Sequence, residues 1–407
     1  MFGLISVLFL IEIFWLLPNI GMSPAWSTAY FSGSVEYSLN GNWLYDLNQV
    51  DFFKALKGYE IYLYRFDTPL KKIVENNYNS MGYLFLIVFA KGIFPFLGPI
   101  GAIVLLQLLV HIIISYLLIN KLETVQSKLL FAFFYFLNPV VLYFTTYPFY
   151  YFWQVIPSFI VIYVLSDKSL KMYPSLLFIA FLTFSVIIRQ TTILIALFGF
   201  FLLLGRLSVK WKIFGIVLPI LIFGIYNFCF NKTKGMSPWH TVYIGIGAYP
   251  NNIMQGLSDN NGYDRFKILT SESVDASLNG NIQNDYDFRE RYYQTIKFEY
   301  LKILQNNPIL IVRNAILNFF ASFSFGFHSK IPFVIQICIS LMGLIIIIFY
   351  IKYRMFMQII VISLSHITFS LYYPPIFAYV FGTIVLNVFF IIELVNRRKE
   401  LLYYKQG

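Results

Sequence analysis

Charge is what this sequence has least of. Charged side chains make up 12% of its 407 residues, about half the share of a soluble chain. That is too little polar surface to dissolve the 58% that is apolar, and it argues against the two or three soluble domains that length alone would suggest. Cysteine is nearly missing. Cys229 and Cys338 are the only two, and both lie in apolar runs, which speaks against a disulfide framework and a thiolate metal centre. Histidine is as scarce, and none of His111, His240, His328 and His366 has a second histidine at i+3 or i+4, the spacing a zinc site would use. Neither a Gly-rich phosphate loop nor a G-x-S-x-G nucleophile elbow occurs.

What the chain has instead is apolar length. Runs that approach the ~20 residues needed to cross a bilayer lie at 1–20, 99–119, 129–146, 153–166, 174–190, 191–205, 213–230, 332–351, 356–373 and 376–395. The fold class expected is an all-α polytopic integral membrane protein, residues 1–407 forming one transmembrane domain with ten transmembrane helices. No basic residue precedes the first run, so it lacks the n-region of a secretory signal and is expected to remain as the first span.

The connectors alternate in charge. One set holds Lys121, Lys128, Lys168, Lys171, Arg206, Lys210, Lys212, Lys352, Arg354, Arg397, Arg398, Lys399 and Lys405 against only Glu123, Asp167 and Glu400. Basic residues collect on the cytoplasmic side, so this set and both termini are expected in the cytoplasm, with the chain in a bacterial inner membrane. The other set consists of two small aromatic turns, 147–152 and 372–375, and two long balanced loops. Residues 21–79 carry five bases and six acids, and 231–307 carry eight of each. These face outward. Of the net charge of +11, the cytoplasmic connectors supply thirteen bases less three acids, or +10, so the surplus signals topology and implies no nucleic acid partner.

Two apolar segments break the alternation. Residues 80–97, with Lys91, and 308–327, with Arg313, Asn314 and Asn318 beside Val312, Ile316, Phe319 and Phe320, are expected as helices in the outer interface, apolar face down. The large outer loop then extends over 231–331. Twelve crossings is the alternative. One short echo joins the loops: Glu36-Tyr37-Ser38-Leu39-Asn40-Gly41-Asn42 and Asp275-Ala276-Ser277-Leu278-Asn279-Gly280-Asn281 share an acid, a gap and Ser-Leu-Asn-Gly-Asn, which two Asn-Gly turns account for.

Every cytoplasmic connector is shorter than about a dozen residues, so chemistry is expected on the outer side. That face has no pool of nucleotide-activated donors, and a synthetic reaction there calls for a donor carried in the membrane. The loops hold carboxylates able to act as bases, Glu36, Asp46 and Asp51 in the first and Asp259, Asp264, Asp275, Asp285 and Asp287 in the second, with Trp26, Trp43 and Trp239 as flat faces for sugar rings. The plainer reading of any one acid is solvated loop charge, and of any one aromatic an interface anchor. Arg189 differs in kind. It follows Phe184-Ser185-Val186-Ile187-Ile188, where a guanidinium in hydrocarbon costs about 2.5 to 3.5 kcal/mol. Either it meets a phosphate at the outer face, for which its fork is well shaped, or it snorkels from a short hairpin. Lys91 is a second candidate for the same duty.

This order of parts, one span, an outer loop, an interfacial helix, hairpins with Asn138-Pro139 and with an arginine between spans, a large outer loop and a terminal helix group, resembles the membrane glycosyltransferases of the GT-C fold. Leu137-Asn138-Pro139-Val140-Val141-Leu142, Ser185 to Gln190 and Tyr300 to Pro308 carry the local likeness, and Trp239 to Asn252 is similar to a segment of the serotype-converting O-antigen glucosyltransferases. The resemblance implies an inverting transferase that moves a sugar from a polyprenyl-phosphate-linked donor to a glycan or lipid-linked acceptor, in contact with membrane lipids, in surface polysaccharide biosynthesis. The superfamily's base is usually an Asp soon after the first span. Here Ala25 to Ser34 contains no acid, which leaves Glu36, Asp46 and Asp51 as candidates. Arg189, then Lys91, would meet the lipid phosphate; a divalent metal shares that task in some members, and no other cofactor is implied. Trp239 and His240 would line the acceptor side or else pack a loop corner. Two other functions remain open: an O-antigen polymerase relying on Arg265, Arg289 and Arg291, and a flippase or transporter, which would place more charges in its spans than Arg189, Glu12 and Glu393.

Overall fold

The computed structural model describes residues 2–19, 25–40, 44–46, 56, 58–65, 73–75, 81–167, 170–230, 237–277, 280–324, 326 and 331–403. The fold is helical. Its contacts group into two compact units, 1–233 with 381–407, and 234–380. All ten apolar stretches form helix. Among the described residues four helices are long and apolar enough to cross a membrane, Pro99–Ile119, Val209–Asn227, Phe333–Lys352 and Phe377–Arg398, or five if one bent pair counts as a span; the remaining apolar helices are shorter. The described helices are thus compatible with a membrane protein.

In the first unit, α1 (Phe2–Asn19) places Ile5, Phe9, Ile13 and Leu16 on one face, where they bury against Ala132, Leu137 and Leu142. Its other faces expose Ile11, Phe14 and Trp15. Within the stretch expected as an outer loop lies α2 (Ala25–Asn40), followed by a ribbon of two three-residue strands, β1 (Leu44–Asp46) and β2 (Ile73–Glu75), antiparallel with Tyr45 opposite Val74. Thus loop 21–79 carries structure of its own, and the first copy of the echo is helical as far as Asn40. Next come α3 (Met81–Ile93) and α4 (Pro99–Ile119).

The following span is broken. α5 (Val125–Phe131) is capped by Thr124, whose Oγ1 accepts from Ser127 N at 3.1 Å. One π turn over Ala132–Phe136 follows, then α6 (Pro139–Thr146) at 50° to the first piece. Asn138 Oδ1 accepts from Val140 N at 2.9 Å, so Asn138-Pro139 starts a helix in the favoured way, a polar N-cap with proline at N1. α7 (Val155–Ser166), α8 (Met172–Ile188), α9 (Ile193–Arg206) and α10 (Val209–Phe230) continue the unit, and α17 (Phe377–Tyr403) closes it. At the ends expected in the cytoplasm, Lys121 Nζ pairs with Asp167 Oδ2 at 2.6 Å, and the Arg206 guanidinium donates to the carbonyls of Asp167 and Val164, capping α7.

The second unit mixes polar and apolar helices. α11 (Trp239–Ile244), α12 (Asp259–Thr270) and α13 (Tyr286–Asn306) pack around Tyr243, Phe266, Phe288, Tyr292 and Ile296. α14 (Pro308–Ala321), α15 (Phe333–Lys352) and α16 (Phe356–Ser370) are apolar. α14 is the helix expected in the outer interface, and its asparagines are held by the protein. Asn314 and Asn318 are buried. Tyr249 Oη donates to Asn318 Oδ1 at 3.0 Å and Asn314 Nδ2 to the Ile246 carbonyl at 3.1 Å, while Val312 and Ile316 stay exposed.

Candidate functional site

Arg189 is positioned by the way α8 stops. Its backbone is extended (φ −144°, ψ 101°); its N–H donates to Ser185 O at 2.8 Å, and its carbonyl accepts from Thr192 N at 3.0 Å and Thr192 Oγ1 at 2.8 Å. One 3₁₀ turn, Gln190–Thr192, leads into α9. The guanidinium lies over the rings of Tyr150 at 4.7 Å and Tyr151 at 5.5 Å. Such cation–π contacts contribute about 0.5 to 2 kcal/mol each, more as water is excluded.

The aromatic turn beneath it is fixed from below by Gln107 of α4. Gln107 Nε2 donates to the carbonyls of Thr145 at 2.8 Å and Tyr147 at 3.0 Å, and its Oε1 accepts from Trp153 Nε1 at 3.3 Å. Three polar groups on a fully buried amide leave the turn little freedom. Tyr30 of α2, Tyr83 of α3 and Phe149 of the turn meet edge to face at 5.6 to 6.3 Å, and Tyr83 also meets Tyr150. A Cβ on Gly82 would stand 2.6 Å from the carbonyl carbon of Ile187, so α3 touches the end of α8 backbone to backbone. Helices α2 and α3, the turn and the Arg189 hairpin therefore form one assembly.

Glu36 belongs to it. It stands on α2, six residues or about 9 Å along the helix from Tyr30, and is 5% exposed; its neighbour Tyr37 meets Phe85 of α3 at 6.2 Å. The α8–α9 hairpin also borders an apolar groove. Leu182 and Val186 of α8, Ile193 and Leu197 of α9, and Pro219 and Phe223 of α10 line it, and Val186 and Ile193 flank Arg189 in sequence.

The remaining expected residues fall elsewhere. Lys91 is nine residues past Gly82, about 13 Å along α3; its Nζ donates to the carbonyls of Pro95 at 2.9 Å and Leu97 at 2.5 Å, which closes the end of that helix. Asp46 lies in β1 opposite Ile73. Asp51 falls outside the described residues, as do Trp43 and His328.

Trp239 and His240 belong to the second unit. The His240 ring stacks on Tyr263 at 5.0 Å and 18°. Its Nε2 meets Asp259 Oδ1 at 3.3 Å and its Nδ1 meets Tyr292 Oη at 2.5 Å. A carboxylate can only accept, so Nε2–H donates to Asp259 and, in the neutral ring, Nδ1 accepts from the Tyr292 hydroxyl. Both ring nitrogens are engaged. The bond from His240 holds the Asp259 carboxyl below its usual range, and burial pushes the Tyr292 phenol up. Gly262 makes room, since a Cβ there would stand 2.7 Å from Tyr292 Oη and 2.9 Å from His240 Nδ1. Trp239 tilts against Tyr300 at 6.1 Å beneath Lys297 Nζ at 5.5 Å. Arg265 donates from Nε to Glu299 at 3.1 Å, Arg291 pairs with Glu272 at 3.2 Å, and Arg289 is buried. In the second copy of the echo Asp275 Oδ1 accepts from Ser277 N at 2.9 Å.

Sequence reasoning missed the Asp259–His240–Tyr292 array, whose members stand 19 and 52 residues from His240, beyond any spacing rule. It also missed Tyr150 and Gln107 as the supports of Arg189. Among the described residues no group of three His, Cys, Asp or Glu is placed to hold a metal ion. No protein-family model matches the chain, and neither a curated protein nor a solved structure matches it.

Proposed function

We propose that the chain is a membrane glycosyltransferase that takes a sugar from a polyprenyl-phosphate-linked donor at the outer face of a bacterial inner membrane and passes it to a glycan or lipid-linked acceptor. The observation that carries this reading is Arg189: a cation at the end of an apolar helix, over two tyrosine faces, with an apolar groove leading away from it. An amphiphile with an anionic head and a hydrocarbon tail fits both halves of that arrangement, and a guanidinium suits phosphate. The polyprenyl tail lies along α8, α9 and α10 and the phosphate at Arg189. Ten spans with both termini in the cytoplasm put this corner on the outer side.

Glu36, buried on α2 in the same assembly, is the base. Its carboxylate accepts the proton of the acceptor hydroxyl as that oxygen bonds to the anomeric carbon from the face opposite the phosphate. The bond from the anomeric carbon to the phosphate oxygen breaks, configuration inverts, and the electron pair leaves on the lipid phosphate, where Arg189 meets the growing charge. Engagement of Arg265 with Glu299 and of Arg291 with Glu272 leaves the polymerase reading with less to work with.

The test is transfer of a labelled sugar from a polyprenyl-phosphate donor by the purified chain, together with gel analysis of the surface glycan in a deletion strain. Loss of a side-branch sugar supports the transferase. Collapse of the glycan ladder to a single repeat would replace it with the polymerase.

A further inference from the structure

The break in the α5–α6 span leaves a second polar corner within the first unit. In a continuous helix the Phe136 carbonyl would accept from Val140 N, but that N–H is turned to Asn138 Oδ1. His111 of α4 takes its place, with Nε2 at 3.2 Å from Phe136 O. A carbonyl only accepts, so Nε2 carries the proton and the neutral ring presents Nδ1 as a lone pair. The imidazole lies nearly parallel to the rings of Phe136, at 5.3 Å and 2°, and Phe9, at 6.3 Å and 17°, which stack on each other at 4.8 Å, and it lies 5.4 Å from the ring of Tyr135 in the π turn.

Three buried polar atoms on residues of this corner have no hydrogen-bond partner among the described residues: His111 Nδ1, Tyr135 Oη and Ser115 Oγ, the last one helical turn from His111 on α4. All three residues are at most 1% exposed. One such atom left unmade costs about 1 to 3 kcal/mol, so three in one corner of an apolar bundle call for a shared partner. The set offers an acceptor and two hydroxyls and bears no formal charge, which suits a neutral ligand that both donates and accepts. Closed as the corner is, it fits the smallest such ligand.

We infer that His111, Ser115 and Tyr135 hold one water molecule at the break, donating to His111 Nδ1, accepting from Tyr135 Oη and completed by Ser115 Oγ, three bonds being usual for a buried water. The water ties the π turn to α4, so the bend of the broken span is set by a hydrated polar corner as well as by proline. This stands independently of the proposed transferase activity.

The test uses the full chain in lipid nanodiscs. A density map fine enough to show ordered water should carry a peak within bonding distance of all three atoms, and a map of that quality without one overturns the inference. Tyr135→Phe and Ser115→Ala should each lower the melting midpoint by about 1 to 3 °C, and the double variant should fall by less than the sum, since both remove the same water. Midpoints that stay or rise, as expected when a hydroxyl with no partner is deleted, refute it, and so do additive losses. A loss with Tyr135→Phe alone, Ser115→Ala being silent, would mean that the phenol meets the imidazole directly with no water between.

Discussion

Two polar constellations of this chain are built on opposite rules. Around His240, charge and hydrogen bonding close on themselves: the imidazole spends both nitrogens on Asp259 and Tyr292, Arg265 is held by Glu299 and Arg291 by Glu272. Around Arg189, the guanidinium lies over the π faces of Tyr150 and Tyr151, which orient it. The first arrangement is that of a packed domain corner. The second is the arrangement on which the proposed function rests, a guanidinium oriented at a helix end. Residue type alone would have ranked them the other way, because a histidine beside a tryptophan in an outer loop looks more like chemistry than one arginine in a helical hairpin.

If the contrast holds, substitutions in the two corners should fail differently. The largest effect is expected from Glu36→Gln, which keeps shape and removes the base: transfer from the lipid donor should fall by about 10² to 10⁴ while the folded fraction is unchanged, and an active variant would remove Glu36 from the mechanism. Next is Arg189→Ala, expected to cost about 10² to 10³ in turnover as one charge-stabilising group is lost; Arg189→Lys should recover only part, because an ammonium lacks the bidentate fork. If Arg189→Ala lowers the melting midpoint and spares turnover, the arginine is a structural anchor and the contrast collapses.

In the other corner the expected currency is stability. Gly262→Ala should destabilise the chain by about 1 to 3 kcal/mol by driving a methyl against Tyr292 and His240, read as a lower melting midpoint. Smallest is Asp259→Asn, worth under about 1 kcal/mol because the carboxylate is largely exposed. Its pH dependence has a definite sign. The carboxyl is held below its usual value of 3.8, so its contribution is complete above that pH and fades as pH falls further; the stability gap between wild type and variant should close in strongly acidic buffer. A gap that persists there would assign the effect to something other than this carboxylate.

Much of the fold was legible in the sequence, because apolar length is a direct signal of helix. The run 99–119 is α4 from end to end, and 332–351 and 376–395 lie within one residue of α15 and inside α17, respectively. α2 was hidden, since Ala25–Asn40 is rich in serine and has no apolar stripe to set a period. The span at 129–146 showed its proline but not its bend, because a π turn depends on what packs beside it, here His111. α14 was legible as a helix but not in its facing: Asn314 and Asn318 look like a water-side stripe until Tyr249 and the Ile246 carbonyl are found against them. The site was half legible. Arg189 stands out as charge in apolar context, and Glu36 enters only as one of three loop carboxylates, whereas the neighbours that give each its setting come from parts of the chain far away in sequence.

Gly82 carries a mechanical consequence. With only a hydrogen between α3 and the Ile187 carbonyl, the two helices have no clearance to rock against one another, and a hinge at this joint would collide at once. They can slip lengthwise or travel together as a rigid plate. Any gating of the Arg189 corner must therefore be hung from the opposite edge, where α9 and α10 border the groove, and a bulky residue at position 82 would act as a wedge that jams the door from the wrong side.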